Sequence, residues 1–223
     1  MSMYYGAENV VDMLKDGLEP SLTGIGKNKQ FGSGFYLFSS ENSAAEQIGL
    51  QGLKVVHPAV MSADVELNNP IKLKHDQTIH DASVDVTPKQ VHKIMLNNER
   101  IFDIFSPLME WQGVERHRLS EELIKEVCEY YAEPENFWKM ENDLFGDLGE
   151  AKLFREAVTN ELGYDGVVID LGAGRENKVA WFKEQVSDLQ VHKVLAKPEV
   201  VEPKVTRPIQ QSPTLQQTQN RLN

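Results

Sequence analysis

The sequence predicts an α+β fold: two small, mostly antiparallel sheets around a cleft, helices outside, and a helical insertion at about 73–148. Three observations carry this. Strand-like runs are short and broken by turns, at 35–38, 60–67, 164–170 and 178–182, which suits split sheets better than a doubly wound parallel one. The middle of the chain reads as mostly helical. At 223 residues, 40% hydrophobic and 26% charged, the chain can bury the core of one ordinary soluble domain. That domain is expected over 1–196, with a tail over 197–223.

The elements follow in order. Met3 to Ala7 reads as a strand. In the amphipathic stretch Glu8 to Leu18, Val10, Val11, Leu14 and Leu18 share a helical face. Glu8 suits the first turn and Gly17 the stop. Gly32 and Gly34 precede the aromatic run Phe35-Tyr36-Leu37-Phe38, and Ser39-Ser40 leads into a short Ala-rich helix. Ala63, Val65 and Leu67 alternate with Asp64 and Glu66 as in a half-buried strand, turned by Asn68-Asn69-Pro70. Thr87-Pro88 is a helix start with Pro at the first position. Ser120-Glu121-Glu122 is another, followed by a stripe of Leu123, Ile124, Val127, Tyr130 and Tyr131. A helix over 150–162 turns Phe154, Ala157, Val158 and Leu162 inward and stops at Gly163. Tyr164 to Asp170 reads as a strand, Leu171 to Glu176 as a loop, and Lys178 to Phe182 as a second strand. From Lys197 the chain carries prolines 198, 203, 208 and 213 and then Gln-rich sequence. With few large apolar residues it reads as a disordered linker rather than a docking motif.

Charge and composition exclude several classes. A net charge of −11 argues against a broad nucleic-acid or anionic-membrane surface. Cys128 is the single cysteine, beside Val127 on a helix, and reads as a buried structural thiol. No apolar leader or long apolar span is present. The expected location is therefore the cytoplasm, or delivery into a target cell without a Sec signal. Gly24-Ile25-Gly26-Lys27 lacks the spacing of a phosphate loop, and Gly172-Ala173-Gly174 lacks the third glycine and the helix of a dinucleotide fingerprint. The scattered histidines offer no ligand pair, so no metal is expected. The acidic cluster of Glu133, Glu135, Glu141, Asp143 and Asp147 reads as a solvated face, without the alternation of a calcium loop.

Three segments in order carry a functional signal. They are Met3-Tyr4-Tyr5-Gly6-Ala7, then Gly32-Ser33-Gly34-Phe35-Tyr36-Leu37-Phe38-Ser39, then Tyr164-Asp165-Gly166-Val167-Val168 followed by Glu176-Asn177-Lys178-Val179-Ala180-Trp181. The order resembles the ADP-ribosyltransferase superfamily, and within it the diphtheria-toxin and poly(ADP-ribose) polymerase branch with its His, Tyr and Glu motifs. It is also similar to the ADP-ribosyltransferase modules of phage and mobile-element polyvalent proteins. The resemblance covers 3 to about 70 and about 150–195. It implies a split β-sandwich around an NAD cleft and a mono-ADP-ribosyltransferase acting on a protein or nucleic-acid acceptor. A toxin, effector or phage-type modifier, monomeric, is the expected setting.

The chemistry needs few groups. Cleaving the nicotinamide–ribose bond builds positive charge on the ribose, so a site must hold nicotinamide and place a carboxylate near that charge. The resemblance gives Gly6 the carboxamide and Tyr36 the ring stack. Gly34 allows close approach, and Ser39 supports the carboxylate or a ribose hydroxyl. Packing in a core is the plainer reading of Tyr5 and Tyr36. Two positions depart from the family. Tyr5 stands where the family has a histidine that contacts the ribose. Ungapped alignment puts Asn177 at the glutamate position and Glu176 one residue early. A bulge would bring Glu176 in as the catalytic carboxylate; without one, Asn177 offers hydrogen bonds but no charge. Gly174 stands where the arginine-modifying branch has its first glutamate, so arginine is disfavoured as acceptor. The alternative is a catalytically weak or inactive NAD-binding or protein-interaction module of the same fold.

Overall fold

The computed structural model describes residues 2–16, 31, 32, 34–48, 55–97, 121–146 and 151–195. Among them the chain forms an α+β fold with two sheets. The first contains β1 (Met3–Ala7), β3 (Ala59–Val65) and β7 (Val186–Val194), in the order β1-β3-β7 and antiparallel throughout. The second contains β2 (Phe35–Leu37), β4 (Ile71–Lys74), β5 (Gly166–Asp170) and β6 (Glu176–Ala180), in the order β2-β6-β5-β4. Only β4 and β5 run parallel. The described helices are α1 (Val10–Asp16), α2 (Glu41–Gln47), α3 (Pro88–Met95), α4 (Glu121–Ala132) and α5 (Ala151–Leu162), with a π-helical turn at Glu141–Phe145.

Local chemistry explains most of these bounds. Thr87 caps α3 through Gln90, each side chain bonding the other's backbone N–H, and Pro88 needs no donor partner at the first position. Ser40 caps α2 by accepting from the Ser43 N–H. Gly163 ends α5 at φ +79°, its N–H donating to Thr159 O at 2.9 Å. Alternation sorts the faces of both sheets. Met3, Tyr5 and Ala7 meet Met61, Ala63, Phe35, Leu37 and Ala180 in a small core between them. The other face of the second sheet, with Leu73, Val167, Ile169 and Val179, builds a larger core.

The middle segment, expected as a helical insertion, contributes to that larger core. Val91, Ile94, Met95, Cys128, Phe137, Trp138 and Phe145 belong to it together with α5 and the sheet. A strand that helical periodicity did not announce, β4, begins just before the segment and runs into its start. Cys128 is a structural thiol there, pushed up to about 11 by burial. The acidic cluster needs correction too: Glu141 is buried, and Asp143 accepts from the Tyr131 hydroxyl at 3.0 Å. Of the face expected on the first helix, Val10 is buried while Val11 and Leu14 are exposed. Leu18, Asp147 and the tail at 197–223 lie outside the described residues. β7 was not anticipated. It is a polar edge strand with exposed Val191 and Val194, so it lacks an apolar alternation to read.

One tie fixes β7 to α2. Glu41 accepts from Lys193 Nζ and faces His192 Nε2, both at 2.9 Å. Lys193 first, then His192, holds the Glu41 carboxyl below its ordinary value of 4.5. With the lower value in the folded state, the tie adds stability above 4.5 and loses it as pH falls through the folded value. We expect Glu41→Gln to melt below wild type at pH 7 and to converge with it at acid pH, in melting curves taken across that range.

Candidate functional site

β1 and β2 come from different sheets and are joined by a backbone bridge at Tyr4 and Phe38. Tyr4 N–H donates to Phe38 O and Phe38 N–H to Tyr4 O, each at 2.8 Å. In an antiparallel ladder, a residue bonded to one neighbour turns away from the other, and the pattern alternates. Tyr4 therefore does not bond Ser62 opposite it on β3, and Gly6, two residues on, likewise turns its N–H and C=O toward β2. On β2, Tyr36 has the parity of Phe38 and turns its N–H and C=O toward β1, away from Val179. Gly6 and Tyr36 are thus the next pair of the Tyr4–Phe38 ladder, and that ladder stops before them. Among the described residues no backbone hydrogen bond joins Gly6 to Tyr36, at the junction of the two sheets.

Next to this gap the structure joins two of the expected residues. Ser39 N–H donates to Asn177 Oδ1 at 3.1 Å, and the Ser39 hydroxyl lies 3.5 Å from the same oxygen. β6 pairs regularly with β5 through Ile169–Asn177 and Asp170–Glu176, without a bulge. Asn177 therefore lies on the same sheet face as Val179 and Tyr36, whereas exposed Glu176 projects from the opposite face. The residue brought to Ser39 is the amide, not the acid.

The tyrosines differ. The Tyr5 ring is packed in the small core, where burial pushes its phenol well up. Tyr36 is half-buried, its ring tilted against Phe31 at 6.4 Å, and its hydroxyl donates to Gly32 O at 2.5 Å. Burial, first, also raises the Tyr36 phenol; Arg155 opposes the shift and Glu141 adds to it.

Two glycines have reasons inside the protein. A Cβ on Gly6 would lie 2.2 Å from Ala44 O, because α2 packs directly on β1. At Gly34, φ is +153° and a Cβ would lie 2.6 Å from Ala180 O, so β6 fills that side. Close approach is indeed what these positions require, and the approaching group is the chain's own backbone. We expect Gly6→Ala to cost about 1–3 kcal/mol by pushing α2 off the sheet, read as a fall in denaturation midpoint at unchanged slope.

Behind Tyr36 lies a buried ion pair with no counterpart in the expected site. Arg155, on α5 and 2% exposed, donates through Nε to Glu141 Oε1 at 3.2 Å and through Nη2 to Oε2. Its guanidinium lies 4.6 Å from the Trp181 ring centre and 5.6 Å from those of Trp138 and Phe154. Arg155 Nη1 and the Trp181 indole N–H are shut off from solvent without a hydrogen-bond partner. A Cβ on Gly32, where φ is +77°, would fall 1.8 Å from Arg155 Nη2. Sequence gave little notice of this cluster. A lone arginine on an amphipathic helix reads as surface, and only its place between Phe154 and Ala157 hinted otherwise.

Comparison with family models, curated proteins and solved structures finds no match to the chain.

Proposed function

We propose that this protein binds NAD at the β1–β2 junction as an ADP-ribosyltransferase-type domain, and that it transfers ADP-ribose to a macromolecular acceptor slowly. The observation that carries the reading is the unfinished ladder at Gly6 and Tyr36. Nicotinamide presents a flat ring and a carboxamide that both donates and accepts. Gly6 N–H and C=O complement that carboxamide, and the Tyr36 ring supplies a face for stacking. Asn177 spends Oδ1 on Ser39, leaving its NH2 to donate to a ribose hydroxyl.

In the reaction the nicotinamide–ribose C–N bond breaks, and its electron pair leaves with neutral nicotinamide. The ribose cation is then taken by an acceptor nucleophile, which gives up a proton. A carboxylate beside the ribose would stabilise that cation most. Asn177 cannot supply the charge, and Glu176 reaches it only if the β6 end slips by one residue. Low turnover follows. Asn177 also favours a second reading, an NAD-binding or protein-interaction module without turnover.

The test is nicotinamide release from NAD by purified protein, alone and with cell lysate. Slow release that lysate accelerates supports the transferase. Saturable NAD binding with no release supports the module. Neither binding nor release removes both.

A further inference from the structure

We propose that the buried Arg155–Glu141 pair is a positioning device for Tyr36, an inference that rests on the NAD reading above. The chain of contacts is short. Glu141 fixes the guanidinium through two bonds, and the guanidinium seats Gly32 so closely that no Cβ fits between them. Gly32 O then accepts the Tyr36 hydroxyl. The phenol is held at its far end, and the ring cannot swing about its stem while that bond stands.

The pair is poorly arranged for stability alone. Burying two charges costs more than their attraction returns unless every donor is met, and apolar replacement of such pairs is often neutral or stabilising. Here Arg155 Nη1 is unmet, and so is the neighbouring Trp181 indole N–H. What the pair does supply is rigidity. Three aromatic rings surround the cation, and the carboxylate comes from a π-helical turn, an irregularity frequent at functional sites. A ring fixed before the ligand arrives spares the ordering cost at binding.

Two variants of the full chain test this, read by calorimetry with NAD and by melting temperature. Tyr36→Phe deletes only the hydroxyl and so releases the ring from Gly32. It should weaken NAD binding about fivefold to tenfold, the value of one lost hydrogen bond, with little change in melting temperature. The double variant Glu141→Leu/Arg155→Met replaces the pair by apolar side chains and should lose affinity to a similar degree while remaining folded. Unchanged affinity in Tyr36→Phe, or in a folded double variant, overturns the proposal. The χ1 rotamer of the aromatic ring at position 36, measured by NMR couplings without ligand, separates this from failure of the NAD reading. One rotamer should dominate in wild type, and averaging should appear in both variants. Equal couplings overturn the positioning role whether or not NAD binds, and a wild type that ignores NAD overturns the NAD reading.

Discussion

Asn177→Glu is expected to raise nicotinamide release by about 10²-fold, the usual worth of one well-placed charge-stabilising group. Asn177 already stands beside Ser39, and its Oδ1 takes the Ser39 N–H. A glutamate there can keep that bond with one oxygen and leave the other, with the charge, for the ribose. NAD affinity should change little, because the gain is felt in the transition state. Glu176→Gln should leave release near the wild-type rate, since Glu176 projects from the other face of β6. The reverse pattern, a collapse in Glu176→Gln and no gain in Asn177→Glu, would mean that β6 slips by one residue when NAD binds. A product assay for nicotinamide on the three proteins decides between them.

The second large effect is on stability. Glu141→Ala removes the partner of a guanidinium that water does not reach. An unpaired buried charge of this kind costs about 3–5 kcal/mol. Domains of this size are stable by about 5–15 kcal/mol in total, so the variant should sit close to unfolding at 37 °C. Arg155→Ala should be comparably harmful, because it leaves the Glu141 carboxylate buried and opens a cavity among Trp138, Phe154 and Trp181. The pair should be non-additive, with the double apolar variant much less destabilised than the sum of the singles. Urea denaturation of the set measures this directly; additive losses would show that the two residues do not act as a pair.

What the sequence made legible follows from how locally each element is determined. Thr87-Pro88 specifies a helix start through contacts within three residues, and α3 begins there. The aromatic run at β2 and the inward set of α5 were likewise local patterns. β4 and β7 were missed because their evidence is not local. Ile71–Lys74 is four residues long and is completed by pairing with β5 nearly a hundred residues away. β7 buries almost nothing, and its ladder with β3 is shifted at two places. In the site, Ser39 and Asn177 were named from their motifs, and they bond each other across 138 positions. Arg155 was not named and Glu141 was read as part of a solvated face, because charge patterning treats ionic residues as solvated unless a partner can be seen. That partner is fixed only by packing. The glycines show the same limit: Gly6 and Gly34 do mark close approaches, but spacing alone does not say that α2 and β6 are what approach.

We expect NAD to occupy the gap between Gly6 and Tyr36. Isothermal titration of the full chain with NAD, wild type against Tyr36→Ala, tests it most directly. Wild type should bind NAD saturably and one-to-one, with near-complete loss in Tyr36→Ala and the variant still folded. Absence of binding to wild type, or equal binding by a folded Tyr36→Ala, would contradict it.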